Sequence, residues 1–285
     1  MDAAARLGAV VVAVASAVVG AGDVSQAPKH DVRSVRSGRW LDLATWSNHR
    51  LPRAHEDVAI AAGHHVDVDT WIGTVGSFVV EKDATLVVDG GLAITALRDV
   101  RIDGEIETRT RPSDGYGASI ALCAGGDLSV SGSIRTGDAG PHVKRDPAEG
   151  GLAPGGGALE LRTIAGSVTL TETARLATGD GADGADARAD SEDAVVRGGN
   201  GGSAGQLFVS AAGGSGEVSI PAVVGILSVG RGGNGGGAFG GSYGEGGAGG
   251  DSMAYFLGRN VPSFGDPGFV KWISDRLAPN RRGGG

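Results

Sequence analysis

Acidic residues two positions apart are the first sign of chemistry in this chain, because alternate residues of a β-strand share one face. Two such groups are Asp67 with Asp69, and Asp103 with Glu105 and Glu107. Enzymes that cleave polysaccharides use clustered carboxylates as acid, base or nucleophile, so both groups are candidates for a catalytic site. The alternative is a solvated outer face, on which Arg101 and Arg109 pair with these acids across strands.

A second group of acids is the best candidate for a cation site. Asp180, Asp183 and Asp186 recur every three residues in a loop rich in glycine and alanine. Ca²⁺ takes roughly six to eight oxygen ligands, and such a loop supplies carboxylates and free carbonyls. The spacing matches neither the EF-hand loop nor the Gly-Gly-x-Gly-x-Asp repeat. Calcium is therefore a candidate ligand, a solvated acidic loop is the alternative, and no other cofactor is predicted.

The composition excludes several classes of protein. Glycine fills 54 of 285 positions, which argues against helical architectures because an interior glycine costs a helix about 1 kcal/mol relative to alanine. The net charge of −8 argues against nucleic acid as a partner. Cys123 is the single cysteine, so no disulfide forms within the chain, and its apolar neighbours predict a buried or half-buried side chain.

The N-terminus predicts export from the cell. Arg6 precedes an apolar run over residues 7–19, and small residues follow, which is typical of a secretory signal peptide. The run is shorter than the roughly 20 residues that cross a bilayer, so no transmembrane span is predicted. An uncleaved anchor or a buried strand is the alternative. We expect residues 1–22 to be a signal peptide, residues 23–36 to be a linker, and the protein to be secreted or at the cell surface.

The same order of three short strands recurs in the second half of the chain. The matched segments begin at Ser119, Ala158 and Gln206, and a fourth begins at Ser252. Each stretch alternates apolar and polar residues, and a long glycine-rich segment follows every third stretch. Residues 66–106 alternate in the same way with tighter turns. Strands stacked in coils about 4.8 Å apart would pair above and below and enclose one aliphatic core.

These patterns predict an all-β fold, a right-handed single-stranded parallel β-helix (a solenoid) with glycine-rich loops on one side. A β-sandwich is the alternative, but it does not explain a loop at the same place after each third strand. We expect tight N-terminal coils over residues 37–111 and glycine-rich coils over residues 112–262.

Residues 263–285 are expected to form a short C-terminal capping helix and a tail. Asp266 and Pro267 are favourable residues for the start of a helix. The apolar residues that follow with helical spacing are Phe269, Trp272, Ile273 and Leu277. Such a helix could cover the last coil, and a helix that binds a partner or a membrane surface is the alternative.

A pattern of aromatic, proline, glycine and acidic residues marks the N-terminal coils. Its members are Trp40, Trp46, Pro52, Asp57, Val58, Ile60, Gly63, Val66 and Asp69. This order resembles the opening of the eight-glycine (G-eight) domain, found in extracellular proteins such as cell-migration-inducing hyaluronan-degrading proteins and fibrocystin-like receptors. His55 stands where that domain usually has a glycine. The resemblance covers about residues 37–111 and implies an extracellular setting and contact with glycans, but no catalytic set.

The tryptophans are the candidate residues for contact with glycans. Trp40 and Trp46 are expected to pack over the first coil, and the alternative is that their rings stack on sugars together with Trp71. The leading interpretation is an exported structural or adhesive protein, not an enzyme, with a glycan or another cell-surface polymer as partner. The alternatives are a polysaccharide lyase or glycoside hydrolase acting on an acidic polysaccharide, and a component of an appendage that assembles end to end. The oligomeric state is not predicted.

Overall fold

The structure is a computed structural model that describes residues 30–69, 73–109, 115–140, 153–188, 195–223, 225–239 and 243–261, with Lys271 and Asp275. The predicted signal peptide, Trp71 and most of the predicted C-terminal helix lie outside these residues. Within that helix prediction, the Asp275 N–H donates to the Lys271 carbonyl at 3.0 Å, which is the spacing of a helical turn. Across the described ranges, no helix has the length and apolar character needed to cross a membrane.

Short strands follow one another along the chain because brief apolar alternation is interrupted by glycine, serine and aspartate. The first ten are β1 (Val32–Arg33), β2 (Gly38–Arg39), β3 (Val58–Ile60), β4 (His65–Val68), β5 (Gly73–Val75), β6 (Phe78–Val80), β7 (Thr85–Val88), β8 (Leu92–Ala96), β9 (Val100–Ile102) and β10 (Glu105–Thr108). A 3₁₀ turn, Leu43–Thr45, lies between β2 and β3.

The second half continues the series with longer connections. Its strands are β11 (Ile120–Ala124), β12 (Leu128–Val130), β13 (Ser133–Arg135), β14 (Leu159–Thr163), β15 (Val168–Leu170), β16 (Arg175–Ala177), β17 (Ala187–Arg188), β18 (Val195–Arg197), β19 (Leu207–Ser210), β20 (Val218–Ser219), β21 (Leu227–Ser228), β22 (Ala238–Phe239), β23 (Tyr243–Glu245) and β24 (Ala254–Leu257). A second 3₁₀ turn, Ala212–Gly214, follows β19.

Three parallel sheets run the length of the molecule. Sheet 1 has the order β1-β3-β6-β9-β12-β15-β20, sheet 2 has the order β2-β4-β7-β10-β13-β16-β21, and sheet 3 has the order β5-β8-β11-β14-β19-β24. From β3 to β16 the chain visits sheets 1, 2 and 3 in turn, so three strands complete one coil. The predicted parallel β-helix is confirmed.

The strands stack in register, so inward side chains form vertical columns. Ile120 of β11 pairs with Leu92 of β8 on one side and with Leu159 of β14 on the other, and Leu159 pairs in turn with Leu207 of β19. The apolar residues that point inward form a single buried cluster that extends from Val32 to Phe256. This continuous aliphatic column is the core that the alternating pattern predicts.

Nearly all the variation in coil length occurs at one corner, between sheet 2 and sheet 3. The connection there is short between β7 and β8 (residues 89–91) and long between β13 and β14 (residues 136–158). After β16 the chain runs through residues 178–206 before it re-enters sheet 3, and it forms β17 and β18 on the way. The glycine-rich segments therefore project from one side of the solenoid, as predicted.

The first coil begins earlier than the sequence indicates. Val32 of β1 is fully buried and pairs with Val58 of β3, so the coil starts within the segment predicted to be a linker. This coil has no described strand in sheet 3. The Leu43–Thr45 turn and the buried Trp46 lie between its two strands and β3, and the Asp42 side chain caps the turn by accepting from the Ala44 N–H at 3.0 Å.

The C-terminal edge of sheet 1 is covered by the residues that follow β24. The Asn260 side chain accepts from the Val218 N–H at 2.9 Å, and the Arg259 N–H donates to the Gly216 carbonyl at 2.8 Å. The edge strand β20 is thereby supplied with an acceptor that a further coil would otherwise provide.

Candidate functional site

Asp67 and Asp69, the first pair of candidate catalytic acids, lie on the outer side of sheet 2, and each contacts a charged or polar neighbour. His65 Nε2 lies 3.2 Å from Asp67 Oδ1, and the Arg39 guanidinium donates to Asp69 Oδ2 at 2.6 Å. Asp67 alternates with buried valines along β4, so its carboxylate faces solvent. The two acids are held in separate contacts and do not form a shared acid–base pair.

The second predicted group is also dispersed. Asp103 lies in the corner between β9 and β10, where it accepts from the Arg101 guanidinium at 2.7 Å and from the Ser131 hydroxyl at 2.6 Å. Glu105 and Glu107 follow on β10 and point outward. The arrangement fits the alternative interpretation, a charged outer face on which opposite charges pair.

The column that holds Asp67 shows why these acids do not gather. Its successive members in register are Arg39, Asp67, Val87, Glu107 and Arg135. Asp67 and Glu107 are two coil steps apart, about 10 Å, with Val87 between them. Each carboxylate is thus followed or preceded by an arginine of the next coil.

Trp40 and Trp46 are buried against each other at the N-terminal end. Their rings meet edge to face with centroids 4.6 Å apart, and the Trp46 indole N–H donates to the Trp40 carbonyl at 2.8 Å. Trp46 is 0% exposed and Trp40 is 8% exposed, so neither ring presents a face to a sugar. The stacking interpretation is corrected for these two residues, which pack over the first coil. The Trp71 prediction lies outside the described residues.

The glycine-rich segments pack against one another as extended chains joined by backbone hydrogen bonds. We call residues 153–157, 179–186, 198–205, 230–237 and 246–251 the glycine bundle. One row of bonds links Ala182, Gly202, Gly233 and Gly250, with every N···O distance 2.8 Å. The next row links Ala185, Gly199, Gly236 and Gly247 at 2.8, 2.7 and 2.9 Å. The rows recur every three residues, which is the period of the polyproline II conformation.

Close approach of the backbones explains why these segments are glycine-rich. A Cβ placed on Gly202 would collide with the Pro154 carbonyl, and one placed on Gly250 would collide with the carbonyl of Gly202. Only a residue without a side chain fits where one backbone packs against another, as at the axis of collagen. The bundle is therefore a second packed region, built from main chain where the coils are built from side chains.

The predicted calcium ligands lie within this bundle and accept backbone hydrogen bonds. The Oδ1 atoms of Asp180, Asp183 and Asp186 accept, each at 2.7 Å, from the N–H groups of Arg231, Asn234 and Gly237. One turn of a polyproline II segment rises about 9 Å, so the three carboxylates form a row and do not surround one ion. Over the described ranges, no group of three or more His, Cys, Asp or Glu side chains could hold a metal ion.

A repeated Thr-Gly-Asp sequence joins the coils to the bundle at its base. In the first copy the Thr136 hydroxyl accepts from the Gly179 N–H at 2.9 Å and donates to the Gly157 carbonyl. The carboxylate of Asp138 accepts from the Asp180 N–H at 3.0 Å. Thr136 is fully buried. We call this arrangement the Thr-Gly-Asp clasp, because it binds one coil to the next.

The clasp is repeated one coil later and then ends. Thr178 accepts from the Gly230 N–H at 2.9 Å, and Asp180 accepts from the Arg231 N–H at 2.7 Å. At the third position the chain reads Val229-Gly230-Arg231, so the donating N–H groups of Gly230 and Arg231 are kept, while both acceptor side chains are replaced.

Polar residues just before the strands of sheet 1 form another ladder. Asp31 accepts from the Asp57 N–H at 3.1 Å, Asp99 accepts from the Asp127 N–H at 2.8 Å, and Asp127 accepts from the Ser167 N–H at 2.8 Å. Each of these side chains supplies an acceptor to the coil above it. Asp31, Asp99 and Asp127 therefore act as hydrogen-bond acceptors between coils.

Asp57 shows the electrostatic character of the N-terminal coils. Burial by itself favours the neutral acid, but hydrogen bonds from Ser77 and from the Arg98 guanidinium outweigh it, so the pKa of Asp57 is lowered. A hydrogen bond from Arg50 lowers the pKa of Glu56 in the same region, against a smaller effect of burial. Both carboxylates are thus favoured in the charged form by hydrogen bonds, from Ser77 and Arg98 to Asp57 and from Arg50 to Glu56.

Cys123 lies half-buried on the outer side of sheet 3, in line with Arg162 of β14. Burial raises the pKa of the Cys123 thiol, while Arg162 opposes that effect and Glu160 adds to it. A raised pKa lowers the fraction of reactive thiolate at neutral pH. The expectation of a buried or half-buried Cys123 side chain is confirmed.

The outer side of sheet 3 carries a shallow groove that the sequence reasoning missed. The groove has a volume of about 370 Å³ and is lined by residues in β11, β14 and β19 and just before these strands, among them Ala121, Glu160, Gln206 and Phe208. Tyr255 of β24 follows Phe208 in register and is 43% exposed. The outward residues of the matched strands could have indicated this groove, because small residues are followed by Glu, Phe and Tyr along one column.

Two features of the chain are thus available for function: a rigid framework of ladders and an open face on sheet 3. The resemblance to the G-eight domain remains a prediction from the sequence. Comparisons with protein-family models, with curated proteins and with solved structures find no match for this chain.

Proposed function

We propose that this protein is an exported structural or adhesive protein of the cell surface or extracellular space that binds a glycan. The observation that carries the proposal is the use of polar side chains between coils. Asp31, Asp99, Asp127, Thr136 and Asp180 each accept a backbone hydrogen bond from the following coil. Acceptors placed in this way stiffen a rod and leave those side chains without a role in acid–base chemistry.

The dispersal of the predicted catalytic acids supports the same proposal. Asp69 and Asp103 are each occupied by an arginine, and a catalytic pair would need two carboxylates directed at one substrate bond. A long parallel β-helix also presents flat faces whose residues repeat at the coil spacing, which suits contact with an extended polymer. The export prediction and the resemblance to extracellular domains support a location outside the cell or at its surface.

The first test is an assay for polysaccharide cleavage. Purified protein is incubated with polygalacturonate, alginate and hyaluronan, and unsaturated products and new reducing ends are measured. We expect no release above that of the buffer, because Asp67, Asp69 and Asp103 are held in separate contacts. Release that Asp103→Ala or Asp67→Ala abolishes would establish the polysaccharide-degrading alternative and reject the proposal.

The second test is binding. Affinity electrophoresis through gels that contain dextran, galactomannan, mixed-linkage glucan or polygalacturonate measures retention of the intact protein. We expect retention in at least one gel, and migration that none of the polymers changes would contradict the glycan-binding part of the proposal. Bovine serum albumin serves as the non-binding control.

A further inference from the structure

The outer face of sheet 3 changes character along its length. The column that runs through it in register is Ala93, Ala121, Glu160, Phe208 and Tyr255. Small side chains near the N-terminal end are followed by large ones, and the groove of about 370 Å³ lies at this step. The groove is therefore a product of side-chain size on neighbouring strands, and it follows the direction of coil stacking.

Two aromatic rings stand at the upper end of this groove. Phe208 and Tyr255 are directly paired on adjacent parallel strands, so their side chains project from the same face about 4.8 Å apart along the stack. Tyr255 is 43% exposed, and its hydroxyl lies 3.5 Å from Met253 Sδ. The half-buried Phe208 ring and the exposed Tyr255 ring offer apolar surface with a polar edge, which is the character of a site for an amphipathic ligand.

The polar groups beside the rings are free to bind a ligand. The side chains of Glu160, Arg162 and Gln206 make no hydrogen bond or ion pair with the other residues that the structure describes. They contrast with Arg39, Arg101 and their partners on sheet 2, which are engaged with one another. Together they supply a carboxylate acceptor, a guanidinium donor and an amide that can both donate and accept.

We infer that this face of sheet 3 binds a chain of neutral pyranose sugars, with Phe208 and Tyr255 packed against the C–H faces of the rings. Glu160 and Gln206 then bind the hydroxyl groups. A neutral sugar fits better than an acidic one because Glu160 lies in the groove and the protein carries a net charge of −8. This inference rests on the proposed function and names the face that performs it.

The experiment measures retention of the full-length protein in gels of dextran, galactomannan or mixed-linkage glucan, with polygalacturonate for comparison. We expect Tyr255→Ala and Phe208→Ala to weaken binding to the retained neutral polymer by about tenfold each. Tyr255→Phe should bind like the wild type, because it keeps the ring and loses only the contact with Met253. Phe239→Ala removes an aromatic ring that is 49% exposed beside the glycine bundle, and it is the matched control that should not change binding.

The outcomes separate the site from the function. Retention of the wild type that Tyr255→Ala, Phe208→Ala and Phe239→Ala all leave unchanged would overturn this site and leave glycan binding intact. Stronger retention by polygalacturonate than by every neutral polymer would overturn the assignment of ligand class. No retention in any gel would overturn both the inference and the proposed binding. Circular dichroism of each variant confirms that loss of binding is not loss of fold.

Discussion

The coils and the glycine bundle are two packed regions of one chain that are held together in opposite ways. In the coils, aliphatic side chains such as Ile106 and Leu122 are removed from water, and burial of apolar surface is the main stabilising effect. In the bundle, the packed surfaces are backbone against backbone, and hydrogen bonds between segments replace side-chain contacts. The difference teaches that a solenoid can extend sideways without a second hydrophobic core, provided that its insertions lack side chains at the contact positions.

The largest effect should come from the aliphatic core, on which both regions depend. Leu122→Ala removes a side chain that is 1% exposed and should lower the free energy of unfolding by about 2–5 kcal/mol, through lost burial and the cavity left behind. Urea unfolding measured by circular dichroism gives the change. Leu97→Ala, at a position that is 44% exposed, is the control with little expected effect. An equal cost for both variants would contradict the assignment of Leu122 to the core.

A slightly smaller effect should separate the bundle from the coils. Gly202→Ala places a methyl group against the Pro154 carbonyl and should destabilise the protein by about 3 kcal/mol, because neither backbone can yield easily. Hydrogen exchange with mass spectrometry should show faster exchange in the glycine bundle while the coils over residues 73–109 keep their protection. Gly90→Ala is the matched control, since a Cβ there meets no atom within 4 Å. Unchanged exchange in Gly202→Ala would show that the bundle is not tightly packed.

The clasp between the two regions should give a third, intermediate effect. Thr136→Val keeps the shape of the side chain but leaves the Gly179 N–H and the Gly157 carbonyl without the hydroxyl, at a cost of about 2 kcal/mol. Thr95→Val alters an outward, partly exposed position of sheet 3 and should cost much less. Thermal unfolding of the pair measures the difference. If both variants unfold alike, the clasp does not contribute to stability.

The smallest effect is a pH dependence confined to the N-terminal coils. The pKa of Asp57 is lowered in the folded state, so its contribution to stability is fully present above the ordinary carboxyl pKa of about 4 and is lost as the pH falls through the lowered value. Asp57→Asn should therefore flatten the fall in stability between about pH 4 and pH 2. Unfolding midpoints measured across that range test the expectation.

Asp89→Asn provides the control for the pH experiment. Asp89 pairs with Arg109 at 2.7 Å, but its side chain is 47% exposed, and exposed ion pairs contribute little to stability. A pH profile that Asp57→Asn leaves as steep as that of the wild type would contradict the role assigned to the ionised Asp57 carboxylate.

The sequence predicts the coils well because their physics is local and periodic. Val66, Leu86 and Ile106 were expected to point inward from their alternation alone, and each is fully buried in one column of sheet 2. The start of the first coil was missed because β1 and β2 have only two residues each, too short for alternation to be visible. Short edge strands depend on their partners, which a local pattern does not reveal.

The bundle and the site were harder to predict because they depend on contacts between distant residues. The three-residue spacing of Asp180, Asp183 and Asp186 was visible, but its meaning depends on Arg231 and its neighbours some fifty positions later. The groove on sheet 3 was missed for a related reason. Glu160, Phe208 and Tyr255 become neighbours only when coils of unequal length are aligned. Glycine-rich segments of different length separate them in the sequence, so the sequence alone does not show that they are adjacent.

Val229 and Arg231 stand where the two earlier clasps have Thr and Asp, so the series of clasps ends at this coil. The coil of Thr178 and Asp180 donates N–H groups to the clasp before it and offers acceptors to the coil after it, whereas the coil of Val229 and Arg231 only donates. A further layer could be added there by duplication of the repeat or by contact with another molecule. Its N–H groups would find no hydroxyl or carboxylate acceptor at these two positions. Donors without acceptors would destabilise such a layer. Val229 and Arg231 therefore disfavour extension of the glycine bundle by a further repeat.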